Sequence, residues 1–119
     1  MQIETLLSDQ VALYLDLASS QAKLTGANMA NVDTPGYKAV GLDFEGEMRS
    51  AIAGSGARLL THTANVRLED GLIARPDGNN VSMDRESLNL AEAQLKFRTG
   101  VAVLRQQYQM VMAAIHVDK

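Results

Sequence analysis

Two histidines, His62 and His116, are the side chains of this chain best suited to moving a proton near neutral pH. They lie far apart in sequence, and neither belongs to an H-x-x-x-H or H-E-x-x-H run with metal-ligand spacing. His62 reads as a surface loop residue. His116 reads as a solvated residue at a helix end, where its charge suits the dipole. Asp43, Glu45 and Glu47 alternate, but on a helix that spacing spreads them around a solvated surface. Asp77-Gly78-Asn79 starts like a calcium loop, yet the required downstream glycine and the glutamate at the twelfth position do not follow. Cysteine is absent, which excludes disulfides and thiolate metal sites. No phosphate-cradling G-x-x-x-x-G-K-[ST] run occurs. The chain is therefore expected to hold no catalytic residue, metal or cofactor. A small hydrolase would need a convergent histidine–acid cluster, and none is legible.

Punctuation is more informative than reactive chemistry. In Ala27-Asn28-Met29-Ala30-Asn31-Val32-Asp33-Thr34-Pro35-Gly36-Tyr37-Lys38, Pro35 lacks an N–H and pushes Thr34 out of the helical region. A helix arriving from the N-terminal side should stop near Asn31–Asp33. Pro35-Gly36 suits the central positions of a type II turn, and Asn31 and Asp33 can bond local backbone as the helix frays.

The elements on either side are long helices. One seam reads Ile3, Leu7, Gln10, Tyr14, Leu17, Gln21, Leu24, Asn28, Asn31, alternating steps of four and three as in a coiled coil. Leu6, Leu13 and Ala27 widen it on one side, Val11 and Ala18 on the other. After a turn cluster at 75–80, Ser82 or Asp84 can cap a second helix. Its seam reads Leu90, Gln94, Phe97, Val101, Leu104, Tyr108, Val111, Ile115, broadened by Leu88, Ala91, Leu95, Ala102 and Met112. Gly26 and Gly100 count as weak points in these helices. Gln10, Gln21 and Gln94 either set register across the coil or lie at its solvated edge. Between the helices, Phe44, Met48 and Ile52 predict a short helix over 43–53, broken by Gly54-Ser55-Gly56. Leu59-Leu60 suits an extended piece. Val66–Glu69 suits a strand that turns at Asp70-Gly71 and pairs back with Leu72-Ile73-Ala74.

The expected fold is mainly α. Two long N- and C-terminal helices form an antiparallel coiled coil and bracket a small irregular, β-containing insert. The divisions fall at 1–33, 34–81 and 82–119, within one structural domain. Only 4% of residues are aromatic and tryptophan is absent, so aliphatics, alanine and six methionines must make most contacts. That favours helix on helix over a sandwich or barrel. The net charge of −3 comes without a basic stripe, which argues against nucleic-acid binding. No apolar run is long enough for a membrane span. The N-terminal residues lack the features of a cleaved secretory signal. Apolar residues on both sides of each seam exceed what one partner covers, so packing against other subunits is expected. An unassembled chain would then lack part of the packing that orders its helices.

The run A-N-M-A-N-V-D-T-P-G-Y-K-A closing an N-terminal helix, with a matching seamed C-terminal helix, resembles the bacterial flagellar axial proteins of rod, hook and hook–filament junction. Hook and distal-rod proteins carry much larger inserts. The run Asp77-Gly78-Asn79-Asn80-Val81-Ser82-Met83-Asp84-Arg85-Glu86, then Leu90-Ala91-Glu92 and Gln94-Leu95, and Asp43-Phe44 after the first motif, look like the basal-body rod protein B family of the proximal rod. Rod protein C shares the first motif but typically lacks the D-G-N-N-V run. Ser82 stands where that family often has aspartate, and both can cap a helix.

The resemblance implies a non-enzymatic structural subunit that assembles with itself and with other proteins. It implies export unfolded through the flagellar type III apparatus without a cleaved signal, and a place in the periplasmic rod of the basal body. The implied neighbours are other rod proteins, the rod adaptor protein and the MS ring. Assembly packing is expected from Leu7, Tyr14, Leu17, Leu24, Phe97, Val101, Leu104, Tyr108 and Val111. The motif residues are Asn28, Asn31, Thr34, Pro35, Gly36 and Tyr37 on one side and Asp77, Gly78, Asn79 and Asn80 on the other. A free-standing helical adaptor or chaperone-like binding module is the alternative.

Overall fold

A computed structural model describes residues 2–54 and 64–116, with side chains in the first helix from Leu7 onward. Expectations for the side chains of Ile3 and Leu6, and for Ser55, Gly56, Leu59, Leu60 and His62, lie outside the described residues. In chain order the elements are α1 (Gln2–Ala30), β1 (Val40–Gly41), α2 (Phe44–Ala53), β2 (Arg67–Leu68) and α3 (Met83–His116). The two long helices run antiparallel against each other. Gly100 of α3 lies against Tyr14 and Leu15 of α1, while Lys96, earlier in α3, reaches Gln21, later in α1. The molecule is elongated, 69 × 26 × 17 Å.

Each boundary has a local cause. Asp43 caps α2 by accepting from the Gly46 N–H, and Glu45 and Glu47 stand in the first turn, where the dipole favours acids. Ser82 caps α3, its carbonyl accepting from Glu86 N–H at 2.9 Å. Leu13, Leu17, Ala18, Phe44 and Ala51 form the core where α2 lies on α1, with Tyr14, Leu42 and Met48 packed at its edge. The Tyr14 and Phe44 rings meet edge to face at 5.1 Å. Lys96 sets its ammonium 4.0 Å from the centre of the Phe44 ring and pairs with Glu92 at 3.0 Å. One residue of α3 thereby ties α2 to both long helices.

The strand expected over 66–69 exists as β2, but its partner is different. It pairs antiparallel with β1, Val40 opposite Leu68 and Gly41 opposite Arg67. Residues 72–74 form no hairpin with it, and Ile73 is 92% exposed. These residues lead instead into Arg75, which is bonded to the carbonyls of Val32, Asn79 and Val81.

The second seam also shifts. The inward column of α3 is Glu86, Ala93 and Gly100, all buried. Of the expected seam, Gln94, Tyr108 and Ile115 turn outward, with Tyr108 and Ile115 more than 60% exposed, while Leu90, Val101 and Leu104 stay partly buried. Leu88, Leu95 and Met112 are exposed as well. Small residues decide this, because Ala93 and Gly100 allow backbones to approach that a tyrosine would hold apart. A Cβ on Gly100 would lie 2.6 Å from Leu15 Cδ2 and 3.1 Å from Tyr14 Cδ1. Gly100 is therefore where the helices close. Gly100→Ala should change stability by less than about 1 kcal/mol, since helix propensity offsets a clash that Leu15 can partly relieve. Gly100→Leu should cost about 3 kcal/mol by overpacking. Urea unfolding of the two variants checks both.

Candidate functional site

The Pro35-Gly36 turn and the 75–81 segment lie against each other and tie the end of α1 to the start of α3. Thr34 O accepts from Tyr37 N–H at 3.2 Å and Gly36 has φ +76°, which makes 34–37 the expected type II turn. Gly78, at φ +88°, sits so close that a Cβ there would meet Gly36 Cα at 3.4 Å. The Gly36 N–H donates to Asp77 O at 2.9 Å, and Lys38 Nζ donates to Gly78 O. Gly36→Val should cost about 2 kcal/mol, because a β-branched residue resists positive φ. Pro35→Ala should cost under about 1 kcal/mol, mainly by loosening the unfolded chain. Thermal unfolding separates the two.

Three asparagines do most of the joining. Asn79 is fully buried. The two N–H groups of its Nδ2 serve the carbonyls of Asn31 (2.8 Å), Val32 (3.0 Å) and Thr34 (2.8 Å), one of them shared between two oxygens. These include carbonyls that the end of α1 leaves without helical partners. Asn79 Oδ1 accepts from Val81 N–H at 2.8 Å, and its own N–H donates to Asp77 Oδ1 at 2.9 Å. Asn28, 2% exposed, treats Val40 as a strand neighbour would. It accepts from the Val40 N–H at 3.0 Å, donates to the Val40 carbonyl at 2.8 Å, and accepts from Tyr37 Oη at 3.0 Å. Asn80 Oδ1 accepts from Ala39 N–H at 2.6 Å. One edge of β1 is thus held by Asn28 and the other by β2.

Asn31 bonds back to Ala27 O at 2.8 Å and accepts from Thr34 Oγ1 at 3.0 Å. The motif residues from both ends of the insert therefore meet in one network. Sequence reasoning missed Arg75. Its guanidinium donates to Val81 O at 2.8 Å and to Val32 O, bridging the exit of α1 and the entry to α3. The only available signal was an arginine inside a turn cluster. Glu86, in the first turn of α3, is 1% exposed, and its Oε2 has no hydrogen-bond partner among the described residues.

The expected packing residues fall into two groups. Leu17 is buried and Tyr14 sits beside it in the α1–α2 core. Leu24, Val101 and Leu104 are partly buried along the helix pair. Leu7, Phe97, Tyr108 and Val111 are 41–66% exposed, so the described chain covers them only in part. A cleft of about 260 Å³ between insert and helices is lined by Arg67, Glu69, Arg85, Glu92 and Lys96. Its charges are largely spent on the ion pairs Arg85–Glu69 (3.1 Å) and Lys96–Glu92 (3.0 Å). Among the described residues no group of histidines and acids could hold a metal ion, and no helix is long and apolar enough to cross a membrane.

A paired-helix body with a bonded joint, a small insert and uncovered apolar residues along its helices defines an assembly subunit. No protein-family model matches the chain. It is 31% identical over 116 residues to the flagellar basal body rod protein FlgB of Salmonella typhimurium, an alignment covering 82% of this chain and 84% of the relative. It is 32% identical over 119 residues to FlgB of Proteus mirabilis and to that of Yersinia ruckeri, covering 85% of the chain and 87% of each relative. The chain belongs to the flagellar basal body rod protein FlgB family and is a structural component of the flagellar rod. The reading as a free-standing adaptor or chaperone-like module finds no support in these relatives.

Proposed function

We infer that the chain builds the proximal part of the flagellar rod by association with further copies and with other rod proteins, and that it catalyses no reaction. Its neighbours are the rod adaptor protein and the MS ring, and it reaches the periplasm unfolded through the flagellar type III apparatus without a cleaved signal. The observation that carries this reading is the uncovered apolar surface of the helix pair in a member of this family. Large side chains such as Leu7, Phe97, Tyr108, Val111 and Ile115 stand exposed on helices that a lone soluble subunit would surface with polar residues. The joint of Asn28, Asn31, Thr34, Pro35, Gly36 and Tyr37 with Asp77, Gly78, Asn79 and Asn80 holds the insert at one angle to that surface. Leu7, Tyr14, Leu17, Leu24, Phe97, Val101, Leu104, Tyr108 and Val111 carry the packing within and between subunits.

The test is complementation of a strain deleted for its own rod subunit of this family. The unaltered chain should restore rods and swimming. Leu104→Asp should be synthesised normally and fail to restore either. Swimming by the Leu104→Asp strain would remove the packing claim, and failure of the unaltered chain would remove the rod reading.

A further inference from the structure

Charge is segregated along the helix pair. From Gln2 to Ala22, α1 carries the acids Glu4, Asp9 and Asp16 and no base. From Lys96 to His116, α3 carries Lys96, Arg98 and Arg105 and no acid. Opposite signs on two adjacent helices would ordinarily pair within the chain. Here Asp9, Asp16, Arg98 and Arg105 make no ion pair or hydrogen bond among the described residues. The geometry explains why. On α1 the residues Val11, Ala18 and Thr25 form a buried column at seven-residue spacing, and Asp9 and Asp16 each stand two residues before it. On α3 the buried column is Ala93 and Gly100, and Arg98 and Arg105 each stand two residues before Gly100 and Gln107, the next steps of that column. Two residues are about 200° on a helix. Each charged column therefore lies on the far side of its helix from the helix–helix contact, acids beyond α1 and bases beyond α3.

A neighbouring pair of columns matches as well. Leu88 and Leu95 of α3, 69% and 66% exposed, continue at the same spacing to Ala102. Ala12, Ser19 and Gly26 form a column of small residues on α1, with open space around Gly26. Now consider α3 of one copy laid antiparallel on α1 of another, in the register by which Gly100 meets Tyr14 within the chain. Asp16 then falls level with Arg98 and Asp9 with Arg105. In the same register Leu88 falls on Gly26, Leu95 on Ser19 and Ala102 on Ala12. Protruding leucines thus meet the smallest side chains while both charge pairs close.

We propose that this chain associates head to tail with a second copy of itself, the Arg98/Arg105 and Leu88/Leu95 face of one α3 docking on the Asp9/Asp16 and Ala12/Ser19/Gly26 face of the next α1. The two faces lie on opposite sides of the molecule and are not self-complementary. The contact is therefore heterologous and repeats from copy to copy, rather than closing as a two-fold dimer. It gives the rod-subunit reading a specific lateral contact and rests on that reading for its setting.

Because the chain has no cysteine, cross-linking tests it cleanly. Asp16→Cys and Arg98→Cys placed in one purified full-length chain should give a disulfide-linked ladder of dimers, trimers and higher species under mild oxidation. The same treatment of Asp16→Cys with Glu92→Cys, which is out of register, should give at least about tenfold less. Equal ladders, or none from the first pair, overturn the contact. A charge reversal is the second arm. Asp9→Arg with Asp16→Arg should weaken sedimenting association at least about tenfold at low salt, with helicity unchanged. Adding Arg98→Asp and Arg105→Asp to the same chain should restore it. A reversed chain that associates as before, or a fourfold variant that folds but does not recover, also overturns the contact. Failure of the unaltered chain to restore swimming would instead strike the rod reading and leave this contact standing.

Discussion

Asn79→Ala is expected to lower the unfolding free energy by about 4 kcal/mol, a large share of what a domain of this size commonly has. The alanine takes one donor from each of the carbonyls of Asn31, Val32 and Thr34, which keep a second partner in Thr34 N–H, Arg75 and Tyr37 N–H, and it leaves the Val81 N–H without its acceptor. The position is fully buried, so water cannot take over those bonds without opening the joint. Asn79→Asp is the sharper comparison. It keeps the acceptor for Val81 N–H but turns an oxygen toward three carbonyl oxygens, so it should be at least as damaging as alanine despite its near-identical shape. Urea unfolding followed by circular dichroism measures both. If Asn79→Asp retained stability within about 0.5 kcal/mol of the unaltered chain, the amide would not be the bonding group described.

Leu17→Asp should be more severe, about 5 kcal/mol or more, and is expected to abolish folding and swimming together. Leu17 is 2% exposed where α1 receives α2, among Leu13, Ala18, Phe44 and Ala51. Removal of a buried leucine side chain costs about 2–5 kcal/mol by itself, and an unpaired carboxylate adds the cost of its own desolvation. Leu7→Asp on the same helix separates folding from assembly. Leu7 is 44% exposed, so the isolated chain should keep its stability within about 0.5 kcal/mol while swimming is lost. Denaturation of both purified variants beside a soft-agar swimming assay reads the two effects. Unimpaired swimming with Leu7→Asp would remove Leu7 from the assembly surface.

The long helices, α2, and the type II turn at Pro35-Gly36 were legible because each rests on local rules. Heptad steps, apolar residues four apart, and a proline–glycine pair act within a few residues. What was not legible depends on contacts distant in sequence. The seam of α3 was placed on Tyr108 and Ile115, since large apolar residues dominate any reading of periodicity. The closest approach instead follows Ala93 and Gly100, whose smallness is their contribution and carries little weight in such a reading. The hairpin over 66–74 looked sound locally. Residues 72–74 instead lead into Arg75, which the joint holds through the carbonyls of Val32, Asn79 and Val81. Arg75 offered no pattern at all, as the two carbonyl partners of its guanidinium come from different ends of the insert. The motif asparagines were visible as a family mark, while their bonds emerged only when the two runs met.

The meeting of Gly36 with Gly78 has a consequence for how this architecture varies over evolutionary time. The hydrogen bonds that close the two ends of the insert go mainly to backbone atoms there, while among the described residues between them α2 packs on α1 and Glu69 pairs with Arg85. Chain-closure entropy grows only with the logarithm of length, about 0.6 kcal/mol for each doubling of a flexible loop. With its ends pinned, the insert is a cassette. Segments can be added after α2 at little thermodynamic expense, provided that α2 keeps its place on α1. A single helical frame could thus carry outer pieces of very different size.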